Sequence, residues 1–225
     1  MGKKLLLKLK CLNKDDGFTI VELMIALSVL SIILVTASLV MIQVGKLYSK
    51  GVNAADLQNI NRTVIADITS ALQFSGNPPL NCTGNPCPRN YNNVKVNSFC
   101  IDTTRYSYIV GSEQGTDQGF SPLVITPHVL WRDTMTTNGS CDPVNITQSS
   151  IPGNGYDMLA DHMRLSQFMV TPDPSVSGVY TVNISLAFGD NDLLNSTWTN
   201  CNGGAGDQFC STSSITSTVT RRTSN

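Results

Sequence analysis

Two histidines are the residues from which catalysis would most simply be built, and neither stands in a catalytic motif. His128 follows Pro127 in an apolar stretch, and His162 lies between Asp161 and Met163. Neither is near a serine or cysteine at the spacing of a nucleophile and its base. Structural roles are therefore favoured for both histidines, and the sequence predicts no catalytic residues and no enzyme.

A second candidate for chemistry is an acidic turn, Gly-Asp-Asn-Asp, which contains Asp190 and Asp192. Their carboxylates are hard oxygen ligands suited to Ca²⁺, with Asp207 as a third. The twelve-residue loop of an EF-hand is absent, so a plain turn is the favoured interpretation. No Cys-x-x-Cys pair is present, and neither histidine lies at ligand spacing from a cysteine. The sequence predicts no cofactor and no metal site, with the acidic turn as a weak calcium candidate.

The seven cysteines indicate that the protein is exported to an oxidising compartment. Cys11 lies in the basic N-terminal segment, and the other six lie in loop-like sequence. Six cysteines in an exported domain allow up to three disulfides and fifteen connectivities. The most local pairing is favoured, with reduced or metal-binding thiols as the alternative. That pairing joins Cys82 to Cys87, Cys100 to Cys141 and Cys201 to Cys210.

Glu22 is the most unusual ionisable residue, because a sequence apolar enough to span a membrane begins immediately after it. Residues 23–42 carry no charge, which is enough for about 30 Å of helix and one bilayer crossing. A carboxylate at the edge of the hydrocarbon costs up to about 3 kcal/mol unless it is protonated or paired. Either Glu22 snorkels to the interface, or cleavage between Gly17 and Phe18 frees an α-amine that neutralises Glu22 of a neighbouring subunit.

The segment that precedes Gly17 is basic and sets the expected orientation. It carries five lysines against two aspartates, whereas the rest of the chain is mildly acidic. Lysines on the N-terminal side predict that the body lies across the membrane from the cytoplasm. No small-residue cleavage site follows the apolar run, so the leader is not an ordinary secretory signal. The acidic remainder lacks a basic cluster, which argues against direct binding of nucleic acid.

The helix is predicted to continue beyond the membrane. Residues 43–74 contain no proline, and their apolar side chains recur at helical spacing. These side chains form one apolar stripe, which consists of Leu57, Ile60, Val64, Ile65, Ile68, Ala71 and Leu72. The stripe is predicted to pack on the body's own sheet, with Asn61 on the opposite, polar face of the helix.

The body is predicted to be rich in β-strands. Residues 77–99 are assigned to a loop, 165–187 to a hairpin, and the Gly- and Ser/Thr-rich tail, 200–225, to a surface loop. One long helix followed by strands predicts an α+β fold, with an antiparallel sheet packed on the helix. The strand candidates are 97–101, 105–110, 123–130, 158–163, 165–170 and 179–187.

The leader, the motif after it and the apolar run together resemble the N terminus of type IV pilins and type II secretion pseudopilins. The motif residues are Gly17, Phe18, Thr19, Glu22 and Leu23. The resemblance implies cleavage between Gly17 and Phe18 by a prepilin peptidase and N-methylation of Phe18. It also implies that Glu22 contacts the N-terminal amine of an adjacent subunit. The chain departs from many major pilins at Leu39, where they have a proline.

A looser resemblance concerns the body, which is similar to the heads of minor pilins. Segments 159–168 and 180–186 are similar to the helix-capping hairpin of the PilW-like and J-type group. The implied organisation is a leader (1–17), a membrane and filament-core helix (18–43), an amphipathic continuation (44–75) and a disulfide-containing head (76–225).

The expected function is that of a minor structural subunit of a type IV pilus, placed in or at the tip of the filament. Its expected partners are other pilin subunits, prepilin peptidase and the inner-membrane assembly platform. Before assembly it is expected in the cytoplasmic membrane with the head outside, and afterwards on the cell surface or in the periplasm. The alternatives are a minor pseudopilin of a type II secretion system and a membrane-anchored binding protein outside any filament.

Overall fold

The computed structural model describes residues 17–82, 88–91, 93–115, 125–135, 141–151 and 153–222. The chain divides after Gly45 into two units, Met1–Gly45 and Lys46–Asn225. Helix α1 (Ile20–Gln73) contributes residues to both, whereas all the strands found among the described residues lie in the second unit. We call the second unit the head.

Helix α1 is 54 residues long. It contains no proline, and its two glycines, Gly45 and Gly51, do not interrupt it. The helix ends at Gln73. Just beyond this end, the backbone N–H groups of Gly76 and Asn77 donate to the Asp102 carboxylate at 2.9 and 3.1 Å. Pro78 then prevents the helix from resuming. The predicted end of the helix is thus confirmed.

The described strands of the head are β1 (Leu80–Asn81), β2 (Arg89–Tyr91), β3 (Val94–Ile101), β4 (Thr104–Tyr108), β5 (Glu113–Gln114), β6 (Ile125–Thr126), β7 (Leu130–Thr134), β8 (Tyr156–Asp157), β9 (Met163–Pro172), β10 (Val179–Phe188) and β11 (Ser211–Thr220). They form two sheets. In one, the strand order is β1-β3-β4-β7-β8, with β2 also paired to β3; in the other it is β11-β10-β9-β5-β6. All these pairs are antiparallel except β5 with β6. The predicted α+β class, a long helix with antiparallel sheets, is confirmed.

The core of the head is shared by the second half of α1 and both sheets. Leu57, Val64 and Ile68 of the helix are fully buried there. They belong to one apolar cluster with Phe99 of the first sheet and Ile184 of the second. The predicted apolar stripe therefore packs on the chain's own strands.

The predicted hairpin within residues 165–187 is confirmed and is longer than expected. Strands β9 and β10 pair from Tyr180↔Pro172 to Phe188↔Met163, with one register shift between Ser185 and Leu186. Alternate residues of β10 are buried from Val179 to Ile184, as expected for a strand with one face on a core, whereas Ser185 and Ala187 on the other face are buried as well.

One strand prediction was wrong in position. Residues 158–162 form a loop and turn, because His162 adopts a φ of 63° that a strand does not allow. The candidate at 123–130 contains Pro127, which is expected to break it because proline cannot donate to a ladder hydrogen bond. The break is present: β6 ends at Thr126 and β7 begins at Leu130, whereas residues 123–124 lie outside the described residues.

Two loop predictions were also wrong. Residues 77–99 contain β1, β2 and the start of β3. Within the tail, residues 211–220 form β11, which pairs with β10 along ten consecutive residues. Threonine, valine and isoleucine favour the extended backbone, and the neighbouring strand supplies the hydrogen bonds that the tail lacks alone.

Asn61 was assigned to the polar face of the helix, and this prediction was wrong. The residue is fully buried. Its side-chain amide donates to the backbone oxygen of Ser213 at 3.1 Å and to the Ser213 hydroxyl at 3.1 Å. A buried amide is tolerated when it is hydrogen-bonded, so Asn61 joins the helix to β11.

Candidate functional site

The start of α1 is the part of the chain with the most specific local geometry. Residues 17–19 are not helical, and the helix begins at Ile20. Thr19 caps it: its hydroxyl accepts the Glu22 backbone N–H at 3.2 Å, and its carbonyl accepts the Leu23 N–H at 3.1 Å. A threonine three residues before a glutamate is a recognised signal for a helix start. That signal would have revealed the capping role of Thr19, which the sequence reasoning missed.

The residues around the expected cleavage point are exposed. Phe18 is 83% exposed, and nothing lies within 4 Å of a Cβ built on Gly17. Short exposed segments outside regular structure are those that a protease reaches most easily. The Gly17–Phe18 bond therefore lies in a backbone segment that is open to an enzyme.

Glu22 lies in the first turn of α1. A negative charge there is favoured by the partial positive charge of the helix N-terminus. Within the described residues, the Glu22 carboxylate has no hydrogen bond or ion pair. The helix dipole thus offsets part of the cost of placing this carboxylate at the edge of an apolar segment, and a partner from another chain would offset more.

The apolar run after Glu22 has the properties of a membrane span. It lies in α1, the one helix among the described residues that is long and apolar enough to cross a bilayer, and its most apolar stretch is not buried against the rest of the chain. Its four hydroxyl side chains donate to helix carbonyls at 2.8 to 2.9 Å, as expected for polar groups in lipid. They belong to Ser28, Ser31, Thr36 and Ser38.

The two histidines of the head are each paired with a carboxylate. The Nδ1 atom of His128 lies 2.8 Å from Asp157, and that of His162 lies 3.0 Å from Glu113. Burial raises the pKa of the Asp157 carboxyl, and the adjacent His128 opposes this shift. No serine, threonine or cysteine is hydrogen-bonded to either ring in the described residues, so neither pair forms a nucleophile–base arrangement.

The carboxylate beside His162 is part of a buried ion pair. Glu113 is bonded to the guanidinium of Arg164, which is fully buried. Arg164 also donates to the carbonyls of Gly189 and Gly111, both at 3.3 Å. Burial lowers the pKa of Arg164, while Glu113 and Asp190 act in the opposite direction. A buried pair with these additional hydrogen bonds is a structural element of the head.

The acidic turn does not converge with Asp207. The Asp207 carboxylate instead pairs with Lys50 of the helix. Within the described residues, no three His, Cys, Asp or Glu side chains are grouped to hold a metal ion. Asp190 and Asp192 thus stand in a turn without a third acidic ligand.

Two disulfides of the head join cysteines that both lie among the described residues. Cys100 is bonded to Cys141, and Cys201 to Cys210. Both are pairs that the local-pairing hypothesis names. Cys82 is also disulfide-bonded, and its expected partner Cys87 lies outside the described residues.

Comparison with known proteins gives one match, and it falls on the start of the chain. Residues 12–38 match the family model of the prokaryotic N-terminal methylation motif. No curated protein and no solved structure matches the chain. The matched residues include Gly17, Phe18, Thr19 and Glu22, together with most of the apolar run.

The capped start, the span and the β-rich head define a class, namely chains whose single apolar N-terminal helix can anchor a β-rich head in a membrane. The match to the N-terminal methylation motif supports a type IV pilin-like or pseudopilin protein processed by prepilin peptidase. The motif also implies assembly with other pilins. The match covers the N-terminal segment and does not test the PilW-like or J-type subtype of the head.

Proposed function

We propose that the chain is a minor structural subunit of a type IV pilus and has no enzymatic role. Prepilin peptidase cuts between Gly17 and Phe18 and methylates the new α-amine of Phe18. The single observation that carries this proposal is the methylation motif at residues 12–38, placed at the start of a helix whose membrane-length apolar stretch is exposed.

The chemistry of assembly follows from the charge of Glu22. In the subunit held in the membrane, the carboxylate stands beside hydrocarbon, and no cationic side chain among the described residues pairs with it. The amine created at Phe18 of one subunit neutralises Glu22 of the next, and an ion pair is strong where little water screens it. Charge pairing therefore adds specificity to the packing of the apolar helices.

The head and the cysteines support an exported location. Disulfides persist in oxidising compartments. The lysines of the leader keep the N-terminal end of α1 on the cytoplasmic side of the membrane. Before assembly, the subunit therefore resides in the cytoplasmic membrane with its head outside the cytoplasm, in contact with the assembly platform. After assembly it resides in the filament, in or near the tip.

Intact-mass analysis of the protein extracted from membranes tests the processing step. We expect a product that begins at Phe18 and carries one added methyl group. A mature protein that still begins at Met1 would overturn the proposal and favour a membrane-anchored binding protein that keeps its leader.

Glu22→Ala and Glu22→Gln test the assembly step. Both proteins should reach the membrane and be processed, but they should be absent from filaments sheared from the cell surface. Thr19→Ala is the matched control, because it removes the helix cap and keeps the charge. Unchanged incorporation of the Glu22 variants would contradict the proposed contact. A processed wild-type protein that stays in the periplasm would assign it instead to a type II secretion pseudopilus.

A further inference from the structure

The sheets of the head differ greatly in how their edges end. Among the described residues, the outer strands β1, β6 and β8 are two residues long and β2 is three, whereas β11 is ten. Short outer strands are a common way to prevent a sheet from pairing with another chain. Strand β11 is therefore the exception in this head.

The composition of β11 offers no other protection. Its sequence, STSSITSTVT, contains no charge and no proline. Its pairing with β10 proceeds without a bulge from Val179↔Thr220 to Phe188↔Ser211. Charged side chains, prolines and bulges are the usual features that protect an exposed edge, and β11 has none of them.

The hydrogen-bonding groups of β11 alternate between its two sides. One step past the strand, the Arg221 N–H donates to the Gly178 carbonyl, which lies directly opposite. By alternation, the odd-numbered residues of β11 face β10 and the even-numbered residues face away. The next even-numbered residue, Arg222, follows the same alternation, because its N–H donates away from β10, to the Gln73 carbonyl at the end of α1. Five residues from Thr212 to Thr220 thus direct their N–H and C=O groups outward.

A groove lies beside the second half of this edge. It has a volume of about 540 Å³ and is lined by Thr69 and Gln73 of α1, four consecutive residues of β11 (217–220) and Arg222. Most of its lining side chains are polar and uncharged, and the exceptions are the apolar Val219 and the cationic Arg222. The groove can therefore hold an extended chain with short, uncharged side chains and a carboxylate beside the arginine.

We propose that β11 accepts an extended strand of a second, different polypeptide by β-strand addition, with a carboxylate of that strand against Arg222. Main-chain hydrogen bonds along an exposed edge supply affinity in this mode of recognition, and pockets for alternate side chains supply specificity. The inference concerns the head alone and does not depend on processing at Gly17.

A second copy of this chain is a poorer occupant than a different polypeptide. Its own β11, extended through Arg222, contains no carboxylate and ends in two arginines. The nearest acidic residue before the strand is Asp207, which already pairs with Lys50. Self-pairing would therefore leave Arg222 without a partner of opposite charge.

The test uses the full-length protein in detergent and a fluorescent synthetic peptide of alternating threonine and valine with a terminal aspartate. We expect saturable binding that weakens about tenfold or more in Thr218→Pro, which removes one outward N–H. The matched control Thr218→Val keeps this N–H and should bind normally. Arg222→Ala should reduce the preference for the aspartate peptide over an otherwise identical asparagine peptide.

A second measurement avoids any dependence on the folding of the proline variant. Two versions of the peptide carry N-methyl groups on alternate amides, one on each edge of the strand. Only the version methylated on the edge that faces β11 should lose binding. Equal binding of both versions, no binding of the unmodified peptide, or dimerisation of the protein alone through β11 would each overturn the proposal.

Discussion

The two halves of helix α1 differ in apolar pattern and in environment: the first is almost continuously apolar and exposed, whereas the second carries an apolar stripe that is buried. Leu27 in the first half is 56% exposed, whereas Leu57 in the second is fully buried against the strands of the head. Apolar surface is stable only when something covers it. The second half obtains that cover from its own chain, and the first half must obtain it from lipid or from other subunits. One helix therefore serves both as the core of a fold and as an anchor.

The sharpest test of this comparison is a matched pair of truncations, Leu57→Ala and Leu27→Ala. Both tryptophans of the chain, Trp131 and Trp198, lie in the head, so their fluorescence during urea unfolding reports on the head alone. Leu57→Ala should lower its free energy of unfolding by about 2 to 5 kcal/mol, because it leaves a cavity in the core. Leu27→Ala should leave the same transition unchanged. Equal losses in both variants would contradict the division of the helix.

A second pair compares polar side chains of the two halves. Asn61→Ala should cost about 1 to 3 kcal/mol in the same assay, because buried hydrogen bonds to β11 are lost. Ser28→Ala removes only a 2.8 Å bond to the carbonyl of Ile25 within the helix, so the head should not respond. Loss of stability in the serine variant would show that the first half supports the head after all.

A third pair uses the glycines. Alanine at Gly51 meets no atom within 4 Å, and it restricts the unfolded chain, so it should stabilise the head by about 0.5 to 1 kcal/mol. Gly45→Ala, on the other side of the division, should leave the urea midpoint of the head where it is. A destabilising Gly51→Ala would indicate that the helix bends at this glycine.

The smallest expected effect belongs to a surface contact of the head. Lys50→Ala removes the ion pair with Asp207, whose two side chains are 47% and 32% exposed. Such pairs are worth about 0.2 to 1 kcal/mol, and salt screens them. The difference from wild type should therefore vanish when the unfolding experiment is repeated at about 1 M salt. A large, salt-independent loss would mean that Lys50 also fixes the loop that carries Asp207.

The sequence predicted the parts of the molecule that depend on neighbouring residues. The helix, its end before Pro78 and the β9–β10 hairpin each follow from periodicity and turn chemistry within a short window. The wrong predictions have a common cause. Asn61 is polar by type but buried by its hydrogen bonds to Ser213, and the threonine-rich tail is a strand because β10 lies beside it. In both cases a residue more than twenty positions away decides the outcome.

The start of the chain was determined by the sequence itself. Gly17, Phe18, Thr19 and Glu22 act through short-range spacing, and the apolar run satisfies its own backbone hydrogen bonds, so neither needs a distant partner to be recognised. Only the tertiary structure decided which face of α1 is covered by strands, where Asn61 and Arg164 find their partners, and that no other described strand covers the outer edge of β11. These features depend on contacts between distant segments, which local patterns of residue type do not record.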